Sequence, residues 1–147
     1  MSQDQQRHLL IQFFEQGIPL HVWLGLKVED LAPGRCLVRV PFRPEMVGDV
    51  SRPALHGGIA TTLADAAGGL AVFTRLGPED RTSTVDLRMD FLRRGRPDED
   101  LWCSAEVLRL GNRVAVADCE VWQGEPRRTI GKARAVYNVV QASTSSG

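Results

Sequence analysis

The stretch "LHGGIATTLADAAGGLAVF", residues 55–73, decides how this chain is read. From Ile59 to Phe73 its only polar side chains are Thr61, Thr62 and Asp65. Such a run predicts a helix covered on most sides. Asp65 is then a carboxylate among apolar neighbours, where desolvation disfavours its charged form and raises its pKa, as a general base or acid requires. At the other end, His56-Gly57-Gly58 opens the run. The first N–H groups of a helix lack partners within it and carry the positive end of its dipole. Those around Gly57 and Gly58 are therefore suited to polarising a carbonyl or holding an oxyanion. The bland alternative is a tight glycine turn followed by a buried structural aspartate.

Gly57 and Asp65 stand eight positions apart, about 12 Å along a helix at 1.5 Å per residue. One carbonyl cannot meet both within one chain. Two such helices running antiparallel across a two-fold axis bring the pair together, which predicts a dimer with two equivalent sites.

The flanks follow a different period. Residues 4–16 carry Leu9, Leu10, Phe13 and Phe14 at helical spacing and predict a short helix ended by Gly17 and Pro19. "LGLKVEDLAPGRCLVRVPF" alternates around Pro33-Gly34, two strands and a turn. After Gly77-Pro78, "TSTVDLRMDFLR" alternates Val85, Leu87, Met89 and Phe91 against polar neighbours. "LWCSAEVLRL", a Gly111-Asn112 hairpin turn, "RVAVADCEVWQ" and "RTIGKARAVYNVV" complete the strands. The expected fold is α+β, a curved antiparallel meander of about six strands wrapped around one long helix. Residues 1–140 are read as a single domain and 141–147, "QASTSSG", as a disordered tail.

Composition narrows the function. The 147 residues carry 18 basic and 18 acidic side chains, so net charge gives no reason to expect nucleic acid or a membrane surface as partner. Sixteen of the basic residues are arginine, and Arg81, Arg88, Arg93, Arg94 and Arg96 crowd one segment as a candidate anion site. Three scattered cysteines fit a reducing cytosol, and no run is long and apolar enough for a membrane span. His8 and His21 read as structural or surface groups, and Trp23, Trp102 and Trp122 as anchors. No metal-ligand cluster, phosphate loop or GxSxG elbow is present.

"LHGGIATTLADAAGGLA", "STVDLRMDFLRRGRPDEDL" and "VLRLGNRVAVADCEVWQ" together resemble the hotdog-fold acyl-CoA thioesterases, in the branch of the PaaI type, over residues 20–140. The resemblance implies a thioesterase that cleaves acyl- or aroyl-CoA without a cofactor or metal. Gly57 takes the role of carbonyl-polarising N–H and Asp65, from the partner subunit, that of base or nucleophile. His56 falls on the family's histidine and Ser83 where a serine orients the attacking water. Gly58, Arg93, Arg94 and Arg113 are candidate substrate contacts, the arginines for CoA phosphates. The implied assembly is a dimer or a dimer of dimers in the cytoplasm. One departure stands out: the asparagine usual before His-Gly-Gly is replaced near Val50, with Asp49, Ser51 and Arg52 around it. Two other readings are a non-catalytic acyl-CoA sensing domain and a hotdog hydratase or dehydratase acting on enoyl thioesters.

Overall fold

The computed structural model describes residues 1–143. The chain opens with α1 (Gln3–Gln12), a π-helical turn (Phe13–Gly17) and α2 (Pro19–Leu24). Strands β1 (Lys27–Ala32) and β2 (Arg35–Val40) form a hairpin, and the short ribbon β3 (Val47–Asp49) and β4 (Ala54–Leu55) leads into α3 (Gly57–Phe73). Then come β5 (Arg81–Phe91), β6 (Leu101–Leu110), β7 (Val114–Gln123) and β8 (Arg128–Val140). Pro19, expected to end a helix, starts α2 instead: at the first helical position its missing N–H costs nothing.

The six long strands form one antiparallel sheet in the order β1-β2-β6-β7-β8-β5. The expected meander holds for β1-β2 and for β6-β7-β8 but not between β5 and β6. β5 lies at the far edge beside β8, and residues 92–100 carry the chain back to the middle of the sheet. Alternation says which face a side chain takes, not which neighbour its strand finds. The β6–β7 turn also shifts by one. Gly111 N donates to Val114 O at 2.8 Å, so the two loop residues are Asn112 and Arg113 rather than Gly111 and Asn112.

The sheet curves around α3, the hotdog arrangement. Ala60, Leu63, Ala64, Ala67, Leu70 and Ala71 are fully buried and pack toward Val38, Leu101, Cys103, Cys119 and Val121 on the sheet's inner face. Each buried leucine contributes roughly 1.5–3 kcal/mol of transfer free energy. Small residues on both surfaces let helix and sheet approach closely. The extreme case is Gly68, where a Cβ would collide with the Tyr137 hydroxyl. Of the expected tail, Ala142 N donates to Asp80 Oδ1 at 2.9 Å, and 144–147 lie outside the described residues.

Candidate active site at the helix start and Asp65

Two backbone hydrogen bonds fix the entry to α3: Leu55 N donates to Gly95 O at 3.0 Å and His56 N to Met46 O at 2.7 Å. His56 is the N-cap, with φ −65° and ψ 125°, and its Nδ1 accepts from Gly58 N at 2.8 Å. In the neutral ring that contact assigns the proton to Nε2. It also occupies the N–H of Gly58, which is therefore not offered to a ligand. Gly57 N–H has no hydrogen-bond partner among the described residues. Of the two expected donors, one remains.

Gly57 opens onto a hollow of about 300 Å³ lined by Leu55, Ala60, Phe91, Leu92 and Ile130, with Arg93 and Arg94 also bordering it. A Cβ on Gly57 would stand 3.1 Å from the Phe91 ring, so a side chain here would crowd the approach to the free N–H.

Asp65 lies two turns further along α3. It is half-buried rather than enclosed among apolar neighbours as expected, although α3 itself is covered on most sides. Thr84 Oγ1 donates to its Oδ1 at 2.6 Å, and Tyr137 Oη donates to its backbone carbonyl at 2.8 Å. Oδ2 has no partner among the described residues. Burial pushes the Tyr137 phenol well above its ordinary value, so it serves as a neutral donor.

Ser83 is not beside Asp65. Its hydroxyl donates to Asn138 Oδ1 at 2.7 Å, and it pairs with Asn138 on the outer face of the sheet. Thr84 pairs with Tyr137 on the inner face, one residue later. The phase changes because β5 is bulged between Thr84 and Asp86. Thr82 and Thr84 face the helix before the bulge, and Leu87, Met89 and Phe91 face it after. Val85, expected inward, sits at the bulge and is 65% exposed. Sequence reasoning missed Thr84 for this reason; the available signal was the run Thr82-Ser83-Thr84, whose two threonines share a face.

The arginine cluster does not form one site. Arg88 pairs with Asp90 on the outer face at 3.1 Å, and Arg96 approaches Glu99 at 3.9 Å. Arg93 and Arg94 alone border the Gly57 hollow. Arg113 lies toward the Asp65 half of the fold, its carbonyl accepting from Val139 N at 2.7 Å. In the loop before α3, Asp49 Oδ1 accepts from Ser51 Oγ at 2.7 Å, Arg52 N at 3.2 Å and Ser51 N at 3.0 Å. The Ser51 hydroxyl foremost, with Arg94 adding its charge, holds that carboxyl below the usual range. Asp49 shapes the loop, and Val50 stands 85% exposed with nothing polar to offer. A larger depression of about 870 Å³ lies on the outer face, where Arg134 already pairs with Asp118 and Arg88 with Asp90. It includes neither Gly57 nor Asp65.

This pairing of a free helix-start N–H with a hydroxyl-held aspartate lies in a segment with known relatives. Residues 53–130 match the sequence profile of the Thioesterase superfamily. The chain belongs to that superfamily. An esterase candidate of Halobacterium salinarum is 39% identical over 121 residues, 76% of this chain and 75% of that protein. The medium/long-chain acyl-CoA thioesterase YigI of Escherichia coli is 31% identical over 152 residues, 95% of this chain and 97% of that protein. The E. coli PaaI protein of the phenylacetic acid degradation operon superposes with a TM-score of 0.80 over 95% of this chain and 94% of its own. At 21% identity that likeness speaks for the fold alone. As a member of the superfamily the chain is a thioester hydrolase.

Proposed function

We propose that the chain hydrolyses acyl-CoA thioesters to a free acid and CoA, in a site shared between two protomers. The observation that carries this reading is the asymmetric setting of Asp65. Thr84 holds one carboxylate oxygen, while the other is free to accept a proton from water or to attack a carbonyl. The Gly57 N–H of the partner polarises the thioester carbonyl and takes the negative charge of the tetrahedral intermediate. Collapse of that intermediate breaks the C–S bond, and the CoA sulfur leaves with the proton that Asp65 took from water. Where Asp65 itself attacks, water then cleaves the acyl anhydride to give the free acid and supplies that proton. The name of the YigI relative supports an acyl-CoA as substrate. The apolar lining around Gly57 suits an acyl or aryl group and reads little beyond its shape, so we expect broad specificity.

The two-chain arrangement is supported by the spacing of Gly57 and Asp65 and by β5. That strand is one of the sheet's two edges, and Val85, Phe91 and Leu92 are all more than half exposed along and just beyond it. The three cysteines are all free thiols, which suits a reducing compartment, and we assign the reaction to the cytoplasm. No helix among the described residues is long and apolar enough to cross a membrane.

Hydrolysis of a panel of acyl- and aroyl-CoA thioesters tests the reading. We expect turnover by the wild type and a fall in kcat of about 100-fold or more for Asp65→Ala, with its fold and assembly unchanged. Tight binding of acyl-CoA with no hydrolysis would mark a non-catalytic domain, and unchanged turnover in Asp65→Ala would remove the aspartate from the mechanism.

A further inference from the structure

The connection from β5 to β6 carries Arg93 and Arg94 past the Gly57 hollow, and it is anchored at both ends. Upstream, Leu92 N and Arg93 N both donate to Ile130 O, at 2.7 and 3.2 Å, and Gly95 O receives Leu55 N. Downstream one side chain holds the loop backbone at both Arg96 and Glu99. Gln123, the last residue of β7, is 1% exposed, a buried amide at a strand end. Its Oε1 accepts from Arg96 N at 2.7 Å, and its Nε2 donates to Arg96 O at 2.9 Å and Glu99 O at 3.0 Å. Both amide protons and the carbonyl are thus spent on loop backbone, 24–27 residues away in sequence. The Arg128–Glu99 ion pair grips the same turn from outside, but it is partly exposed and screened by solvent.

Between these anchors Arg93 and Arg94 are exposed and make no ion pair among the described residues, Arg94 only adding its charge in the neighbourhood of Asp49. A guanidinium not locked in an ion pair, on a loop already ordered, binds an anion with less entropy lost than one on a free loop. We propose that Gln123 is a positioning residue for substrate binding. By clamping Arg96 and Glu99 it fixes the loop that presents Arg93 and Arg94 to the phosphates of the CoA moiety. This rests on the acyl-CoA reading above.

The test compares an acyl-CoA with the same acyl group on pantetheine, which lacks the nucleotide phosphates. For Gln123→Leu we expect KM for the acyl-CoA to rise about tenfold with kcat nearly unchanged, and KM for the pantetheine thioester to stay put. In an Arg93→Ala/Arg94→Ala background, Gln123→Leu should add no further rise. Gln123→Glu keeps the acceptor for Arg96 N but loses at least one of the two donors, and should show the same split. Equal effects on both thioesters, additivity with the arginine changes, or loss of the fold in both Gln123 variants would assign Gln123 to stability alone and overturn the inference. A wild type inert toward acyl-CoA would instead overturn the reading beneath it.

Discussion

Asp65 has two carboxylate oxygens in unlike settings, and that difference rests on one hydroxyl. Oδ1 is tied to Thr84 at 2.6 Å, which restrains the carboxylate, while Oδ2 has no partner among the described residues. Thr84→Val keeps the shape and removes the donor. We expect it to lower kcat about tenfold with little change in melting temperature, whereas Ser83→Ala, on the far face of the sheet, should leave kcat within about twofold. Steady-state rates of the two variants side by side check this; the opposite ranking would return the role to Ser83.

At the scale of elements, the contact between α3 and β8 sets where Asp65 stands. The Tyr137 ring lies against Gly68, and its hydroxyl bonds the Asp65 carbonyl. Gly68→Ala inserts a methyl group into that contact. The change should cost about 1–3 kcal/mol by overpacking, despite alanine's better helix propensity. In a Tyr137→Phe background the nearest obstructing atom is gone, so the cost of Gly68→Ala should shrink. Denaturant midpoints of the four proteins measure the coupling, and strict additivity would show that the two residues do not compete for the same space.

For the whole molecule, the proposed sharing of the site between two protomers has a direct complementation test. Gly57 is the first residue of α3, the position where proline is tolerated, and the extended backbone of His56 (φ −65°, ψ 125°) suits a following proline. Gly57→Pro therefore removes the one free N–H, at the expense of a small shift of the half-exposed Phe91 ring. Neither Gly57→Pro nor Asp65→Ala alone should turn over substrate well. After subunit exchange, heterodimers carry one intact site, and the mixture should recover about one quarter of wild-type activity. No recovery after exchange confirmed by native mass spectrometry would mean that each site belongs to one chain.

The packed interior also fixes a pH response. Burial pushes the Cys36 thiol up from 9.0 to about 12, and Cys103 moves the same way for the same reason. A folded pKa above the unfolded one contributes stability that is complete below pH 9.0 and lost as pH rises toward about 12. Between roughly pH 8 and pH 11 the wild type should therefore lose more stability than Cys36→Ala, read from denaturation midpoints. Parallel curves would show that the thiol titrates alike in both states.

The sequence by itself determined the central helix and the strand count of the main sheet, and it singled out Gly57 and Asp65 as the groups on which the proposed chemistry rests. An apolar run interrupted by one aspartate and opened by His-Gly-Gly has few structural solutions, and period-two alternation fixes which face each strand buries. The proposal of a two-chain site was legible too, since the rise of a helix separates Gly57 from Asp65. Tertiary structure alone decided three things. β5 chose β8 over β6, because strand pairing depends on where the chain can cross and not on local pattern. The bulge at Val85 exchanged Ser83 for Thr84, because one inserted residue reverses every face beyond it. And Gln123, an unremarked glutamine before a turn, became a buried clamp, because a hydrogen-bond partner 27 residues distant leaves no trace in local sequence.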